Sequence, residues 1–198
     1  MATEDQKEEA VSIKQKRKAK RIYEGLTEEE FVKLLSVTSK IHHQTAFLLA
    51  YGSGLRISEV IKLQPEDVDF KGNKIFIRQG KGSKDRIVSI PKQLKDKHVK
   101  ALPIKISSRA LEMVFLRNSL KAGINHQIAS YSAKGKQIPI YKYHYHSLRH
   151  SFAKRALEKG LQINYLQTLM GHENIATTNR YTKANPTDAI QAVLDKGI

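Results

Sequence analysis

Three short β-type runs sit close together in the middle of this chain, amid segments whose apolar residues mostly recur at helical spacing. Residues 68–70 and 75–78 flank Lys71-Gly72-Asn73-Lys74, a turn sequence. Residues 87–90 follow a second turn, Gly80-Lys81-Gly82-Ser83-Lys84, and Pro91 ends them. The pattern predicts one three-stranded antiparallel sheet with a basic tip. The fold class it implies is mainly α with a small three-stranded antiparallel β-sheet. GKGSK lacks the GxxxxGK[ST] spacing of a phosphate-binding P-loop.

The helical segments are punctuated by caps and glycines. Thr27 and Glu30 form a T-x-x-E capping box ahead of Phe31, Leu34 and Leu35. Residues 41–51 read as a more apolar, buried helix, stopped by Gly52-Ser53-Gly54. A further helix begins near Arg56, with Leu55, Val60 and Leu63 suited to the core. Ser108 caps a helix to Ala122, with Leu111, Val114 and Phe115 inward and Gly123 after its end. Residues 124–143 look loop-like, although Tyr141, Tyr143 and Tyr145 alternate as in a strand. From His146 a helix places Leu148, Phe152 and Ala156 inward, and Gly160 ends it. Residues 163–170 form a short helix closed by Gly171. Asn174 can cap a helix running through Arg180 and Tyr181, before Asn185-Pro186 breaks it. In the tail, Ile190, Val193 and Leu194 share one face.

The stretch from His146 to Tyr181 concentrates chemistry. His146 and Arg149 lie at i, i+3 and share a helix face. His172 follows a helix end, and Tyr181 lies on another element, so the two meet only through folding. Taken singly, such residues are mostly unremarkable: a tyrosine near a helix end usually packs, and an H-x-x-R usually faces solvent. Arg56 and Glu59, also at i, i+3, make either an ordinary surface ion pair or a guanidinium fork held by a carboxylate toward a phosphate. Lys81 is either a solvated turn lysine or a mobile proton donor. His144, His146 and His150 raise the thought of a metal, but no cysteine and no suitably spaced acid accompany them, so no metal and no cofactor is expected.

Charge narrows the partner. The 198 residues suit one domain, or one domain plus an arm, and 40% hydrophobic content supplies a core. Lys and Arg number 35 against 19 Asp and Glu, a formal charge of +16 and a pI near 9.9. Such an excess favours a polyanion. The absence of cysteine argues against a disulfide scaffold and fits a reducing interior. No apolar run reaches membrane-spanning length, and no signal-peptide core is seen. A cytoplasmic, nucleoid-associated location is therefore expected.

Four segments in order, GLRISEVIKL, GKGSKDRIVSIP, YHSLRHSFAKRALEKG and LMGHENIATTNRYT, resemble the tyrosine recombinase (phage integrase, Xer-like) family. The likeness covers roughly residues 27–185. It implies a helical catalytic domain with a small sheet and DNA strand exchange through a 3′-phosphotyrosine intermediate, needing neither metal nor ATP. By position it puts catalytic roles on Arg56, Lys81 (with Lys84 as the alternative lysine), His146, Arg149, His172 and the nucleophile Tyr181. Glu59 takes a supporting acidic position, and His150 matches a common family residue. Lys84 and Arg86 near the hairpin, with Lys18, Lys20 and Arg21 in a basic arm, are expected to contact DNA.

The domain expectation is a flexible basic arm over residues 1–22 and a catalytic domain over 23–198, without the family's usual N-terminal core-binding domain. The partner expected is double-stranded DNA, bound by a homo-oligomer, a tetramer, on paired sites, with a monomer in isolation as the alternative. Integration, excision and dimer resolution are all compatible with these residues. The alternatives to a recombinase are a truncated DNA-binding regulator and a type IB topoisomerase that relaxes DNA.

Overall fold

The structure, a computed structural model, describes residues 25–78, 85–133, 135–171 and 186–198. Along the chain these form α1 (Glu28–Ser36), α2 (Ile41–Ser53), α3 (Ile57–Lys62), a 3₁₀ turn (Pro65–Asp67), β1 (Val68–Asp69), β2 (Lys74–Ile77) and β3 (Arg86–Ser89). There follow α4 (Asp96–Val99), α5 (Ser108–Lys121), β4 (Gln127–Ala133), β5 (Lys136–Tyr141), α6 (Tyr145–Glu158), α7 (Ile163–Met170) and α8 (Pro186–Asp195). The expected class holds: helices dominate, and β1-β2-β3 make one antiparallel sheet. Its register pairs Ile75 with both Val68 and Val88, so apolar side chains line the face turned to the core.

α2 is the central element because its sequence is apolar nearly all round. Ala46, Phe47, Leu48, Leu49, Ala50 and Tyr51 are all buried. α6 packs beside it through Leu148, Phe152 and Ala156, the inward face expected from spacing. Phe47, Phe115 and Tyr145 make an aromatic cluster with ring centroids 5.8–6.1 Å apart. On the far side Arg155 lies 3.5 Å over the Tyr51 ring, which in turn stacks on Phe31 at 3.6 Å.

Local signals account for most boundaries. The Thr27–Glu30 capping box forms with both bonds present. Glu30 also accepts from the Tyr143 hydroxyl, so α1 is tied to the chain entering α6. Gly171 ends α7 with φ 59°, the left-handed conformation that favours glycine. At the end of α2 the stop is Gly54 alone, with φ 68°, since Gly52 and Ser53 are still helical. A Cβ on Gly54 would lie 2.6 Å from Phe152 Cδ1. Gly54→Ala is therefore expected to destabilise the fold by ~1–3 kcal/mol, read as a lower urea midpoint, through backbone strain and the clash together.

Four expectations need correction. The cap of α5 is Ser107, whose hydroxyl accepts from the Ala110 amide, so Ser108 is the first helical residue. Residues 124–143 are not a loop, because β4 and β5 pair as an antiparallel ribbon. Neither Tyr143 nor Tyr145 belongs to a strand. Both are buried, and Tyr145 opens α6, its hydroxyl donating to the Ala46 carbonyl at 2.9 Å. In the tail, Ile190 and Val193 pack into the core while Leu194 stays 40% exposed.

Candidate active site

The site is built where three helix ends and one strand meet. Arg56 is the N-cap of α3, and Glu59 lies one turn on. A single carboxylate thereby serves the residue before it twice. Glu59 Oε2 accepts from the Arg56 backbone amide at 2.7 Å, and Oε1 from Arg56 Nη1 at 2.9 Å. The intervening turn fixes the guanidinium's direction, as i, i+3 spacing allows. The Arg56–Glu59 pair is not an ordinary surface ion pair, because the Glu59 side chain is only 5% exposed.

Arg149 reaches the same place from α6. It is buried at 3% exposure, donates to the carbonyls of Gly54 and Met170, both at 2.5 Å, and stands 3.9 Å from Glu59 Oε2. Arg56 and Arg149 thus converge on one carboxylate. Arg86, from the start of β3, completes the group. Its Nη1 and Nη2 each donate to one Glu59 oxygen at 2.7 Å, and its Nε donates to the Leu169 carbonyl at 2.8 Å. The expectation that Arg86 contacts DNA does not fit this placement: its side chain is 8% exposed and its fork is closed on Glu59.

The end of α7 is the common backbone partner. Leu169, Met170 and Gly171 offer consecutive carbonyls, and each accepts from a different arginine: Arg86, Arg149 and Arg56 in turn. These are the carbonyls that a helix leaves unsatisfied, at the negative end of its dipole.

Electrostatics follow from burial and proximity. Burial alone would raise the Glu59 carboxyl, but the hydrogen bonds and charge of Arg86, with those of Arg56, outweigh it and hold the group at about 2. Burial and the neighbouring Arg56 cation lower Arg149 to about 9, so it remains charged at neutral pH. His146, one turn before Arg149, keeps its side chain open to solvent. Partial desolvation of its ring, then Arg149 and other nearby cations, lower its pKa below the ordinary histidine value and favour the neutral imidazole. Among the described residues it has no hydrogen-bond partner. His150 is half-buried, 6.0 Å from the His146 ring, and its pKa is likewise lowered by burial and by the neighbouring histidines. His146 also borders a groove of about 490 Å³ between α5 and the β4-β5 ribbon, lined by Met113, Tyr131 and Ile138.

Of the expected catalytic residues, Arg56, His146 and Arg149 are therefore placed together, with Glu59 beneath them. Lys81, His172 and Tyr181 lie outside the described residues, as do Lys84 and the whole of the expected arm over residues 1–22 with Lys18, Lys20 and Arg21. Among the described residues no group of three or more His, Cys, Asp or Glu could hold a metal, and no helix is long and apolar enough to cross a membrane. Sequence reading missed the part played by Arg86. The available signal was a lone cation opening a strand whose other residues carry no charge.

Residues 24–188 match the model of the phage integrase family. The chain belongs to that family. It is 34% identical to a tyrosine recombinase XerA of Pyrococcus horikoshii over 93% of this chain and 65% of that protein. A tyrosine recombinase XerA of Thermococcus onnurineus is 38% identical over 89% and 64%. The crystal structure of a XerA recombinase superposes with a TM-score of 0.57 at 25% identity, covering 88% of this chain and 65% of that one. The chain thus spans just under two thirds of the length of these relatives. Integrase-family membership agrees with the helical fold, the small sheet and the motif order read from the sequence.

Proposed function

We propose that this chain carries out site-specific DNA strand exchange through a covalent 3′-phosphotyrosine intermediate. One observation carries the reading: Arg56 and Arg149 converge on a single buried carboxylate beside a solvent-open His146. Two adjacent guanidiniums suit the two non-bridging oxygens of a phosphodiester. The family motif adds Tyr181 as nucleophile, Lys81 as proton donor and His172 as a further hydrogen-bond donor.

In this reading the Tyr181 oxygen attacks phosphorus and its proton passes to His146. The P–O5′ bond breaks as the Tyr181 O–P bond forms, and Lys81 protonates the departing 5′-oxygen. The ester is exchanged, not hydrolysed, so its energy is kept and no ATP is required. A 5′-hydroxyl from another strand then reverses the step. Double-stranded DNA is the substrate, in keeping with the charge of +16, and an oligomer on paired sites brings the strands together.

The test is incubation with a nicked suicide DNA site, followed by identification of the residue joined to the 3′ end. The expected result is an adduct at Tyr181. Binding without an adduct would make the protein a regulator. Relaxation of any plasmid without site preference would make it a topoisomerase. A second expectation follows from His146. Because its pKa is lowered, cleavage should stay on its plateau through neutral pH and fall only below the ordinary histidine range near 6.5, where protonation removes the acceptor. A rate–pH profile of single-turnover cleavage checks this.

A further inference from the structure

Arg86 invites a question that the catalytic roles leave unanswered: why gather a further buried guanidinium onto the carboxylate that already holds Arg56? Glu59 has two oxygens and room for about four donors. Arg86 fills one place on each oxygen, at 2.7 Å and 2.7 Å, and the Arg56 amide and Nη1 take the others. Arg149 is left at 3.9 Å, too far for a hydrogen bond to that carboxylate. Were Arg86 absent, Glu59 would have vacant lone pairs and an adjacent buried cation to fill them. Arg149 would turn toward Glu59 and away from a phosphate.

We infer that Arg86 is a positioning residue, which saturates Glu59 and grips the end of α7 so that Arg56 and Arg149, held by the carbonyls of Gly171, Gly54 and Met170, keep one fixed orientation toward the scissile phosphate. The inference rests on the recombinase reading for its phosphate, but not for its geometry. Its Nε bond to the Leu169 carbonyl fixes the helix end that also receives Arg56 and Arg149. Charge supports the arrangement as well. Three guanidiniums and one carboxylate leave a balance of 3 − 1 = +2 among Arg56, Arg86, Arg149 and Glu59. That matches the two negative charges of a phosphorane better than the single charge of the diester.

Two variants, Arg86→Gln and Arg86→Lys, test this in the full chain, well below the melting temperature of each. In single-turnover cleavage of nicked DNA, Arg86→Gln is expected to be ~100-fold slower, with Arg86→Lys in between. DNA affinity and its salt dependence should match the parent protein. Normal cleavage by folded Arg86→Gln, even with a lowered melting temperature, would reduce Arg86 to a stabilising ion pair and overturn the inference. A salt slope shallower by about one would make it a phosphate contact, with the same consequence.

A measurement without DNA separates this inference from the recombinase reading. Glu59 faces Arg56 from α3, Arg86 from β3 and Arg149 from α6, and it borders a cavity shared with Lys62, Glu66, Asp67 and Arg78. Its carboxyl carbon, followed by NMR, should titrate at higher pH in Arg86→Gln, and the Arg149 Nε signal should shift. Unchanged signals would overturn the inference whether or not the protein cleaves DNA. Failure of the parent protein to form an adduct would instead sink the recombinase reading alone.

Discussion

Tyr181→Phe is expected to abolish the covalent adduct while leaving DNA affinity unchanged. The substitution removes one oxygen and keeps the ring, so it deletes the proposed nucleophile and little else. In the proposed reading affinity rests on the cationic surface and on the guanidiniums, and this change removes no positive charge. A phenol has a pKa of about 10, so the reaction depends on a base and a positive field to make its oxygen attack. In the proposed reading His146 and the arginine pair supply both. Suicide-substrate gels and a binding titration on the same preparation decide the matter. An adduct persisting in Tyr181→Phe would move the nucleophile elsewhere and overturn the assignment drawn from the motif.

Glu59→Ala is expected to cost the fold ~3–5 kcal/mol at neutral pH, the range for removing one partner of a buried ion pair. It leaves Arg56, Arg86 and Arg149 facing one another without an anion. The same carboxylate should make stability fall in acid. Its folded pKa of about 2 lies below the ordinary 4.5. The contribution is therefore complete above about 4.5 and is lost as pH drops toward 2. A displacement of that size corresponds to ~3 kcal/mol. Urea unfolding at a series of pH values should show parent and variant far apart at pH 7 and drawing together in acid. A constant gap would mean that ionised Glu59 is not what holds the cluster.

Local chemistry was legible in the sequence, and long-range pairing was not. The Thr27–Glu30 box spans one turn, and the stops at Gly54, Gly160 and Gly171 require only a left-handed residue, so both could be read from neighbours. The inward face of α6 follows from spacing in the same way. The β4-β5 ribbon escaped because its residues are largely exposed on both strands, which erases the alternation that marks a half-buried strand. Arg86 escaped for another reason. Its carboxylate lies 27 positions earlier and its carbonyl partner 83 positions later, and no periodicity links such distances. Convergence of Arg56 with Arg149 was readable only through the motif order, since folding supplies the meeting point.

The three carbonyls at the end of α7 have a mechanical consequence. Leu169, Met170 and Gly171 are each moored to a different side chain of the cationic cluster. Rocking of that helix must carry all three guanidiniums with it, and any slip between them would sever several charged bonds at once. A displacement of the end of α7 is thereby transmitted to Arg56, Arg86 and Arg149 together.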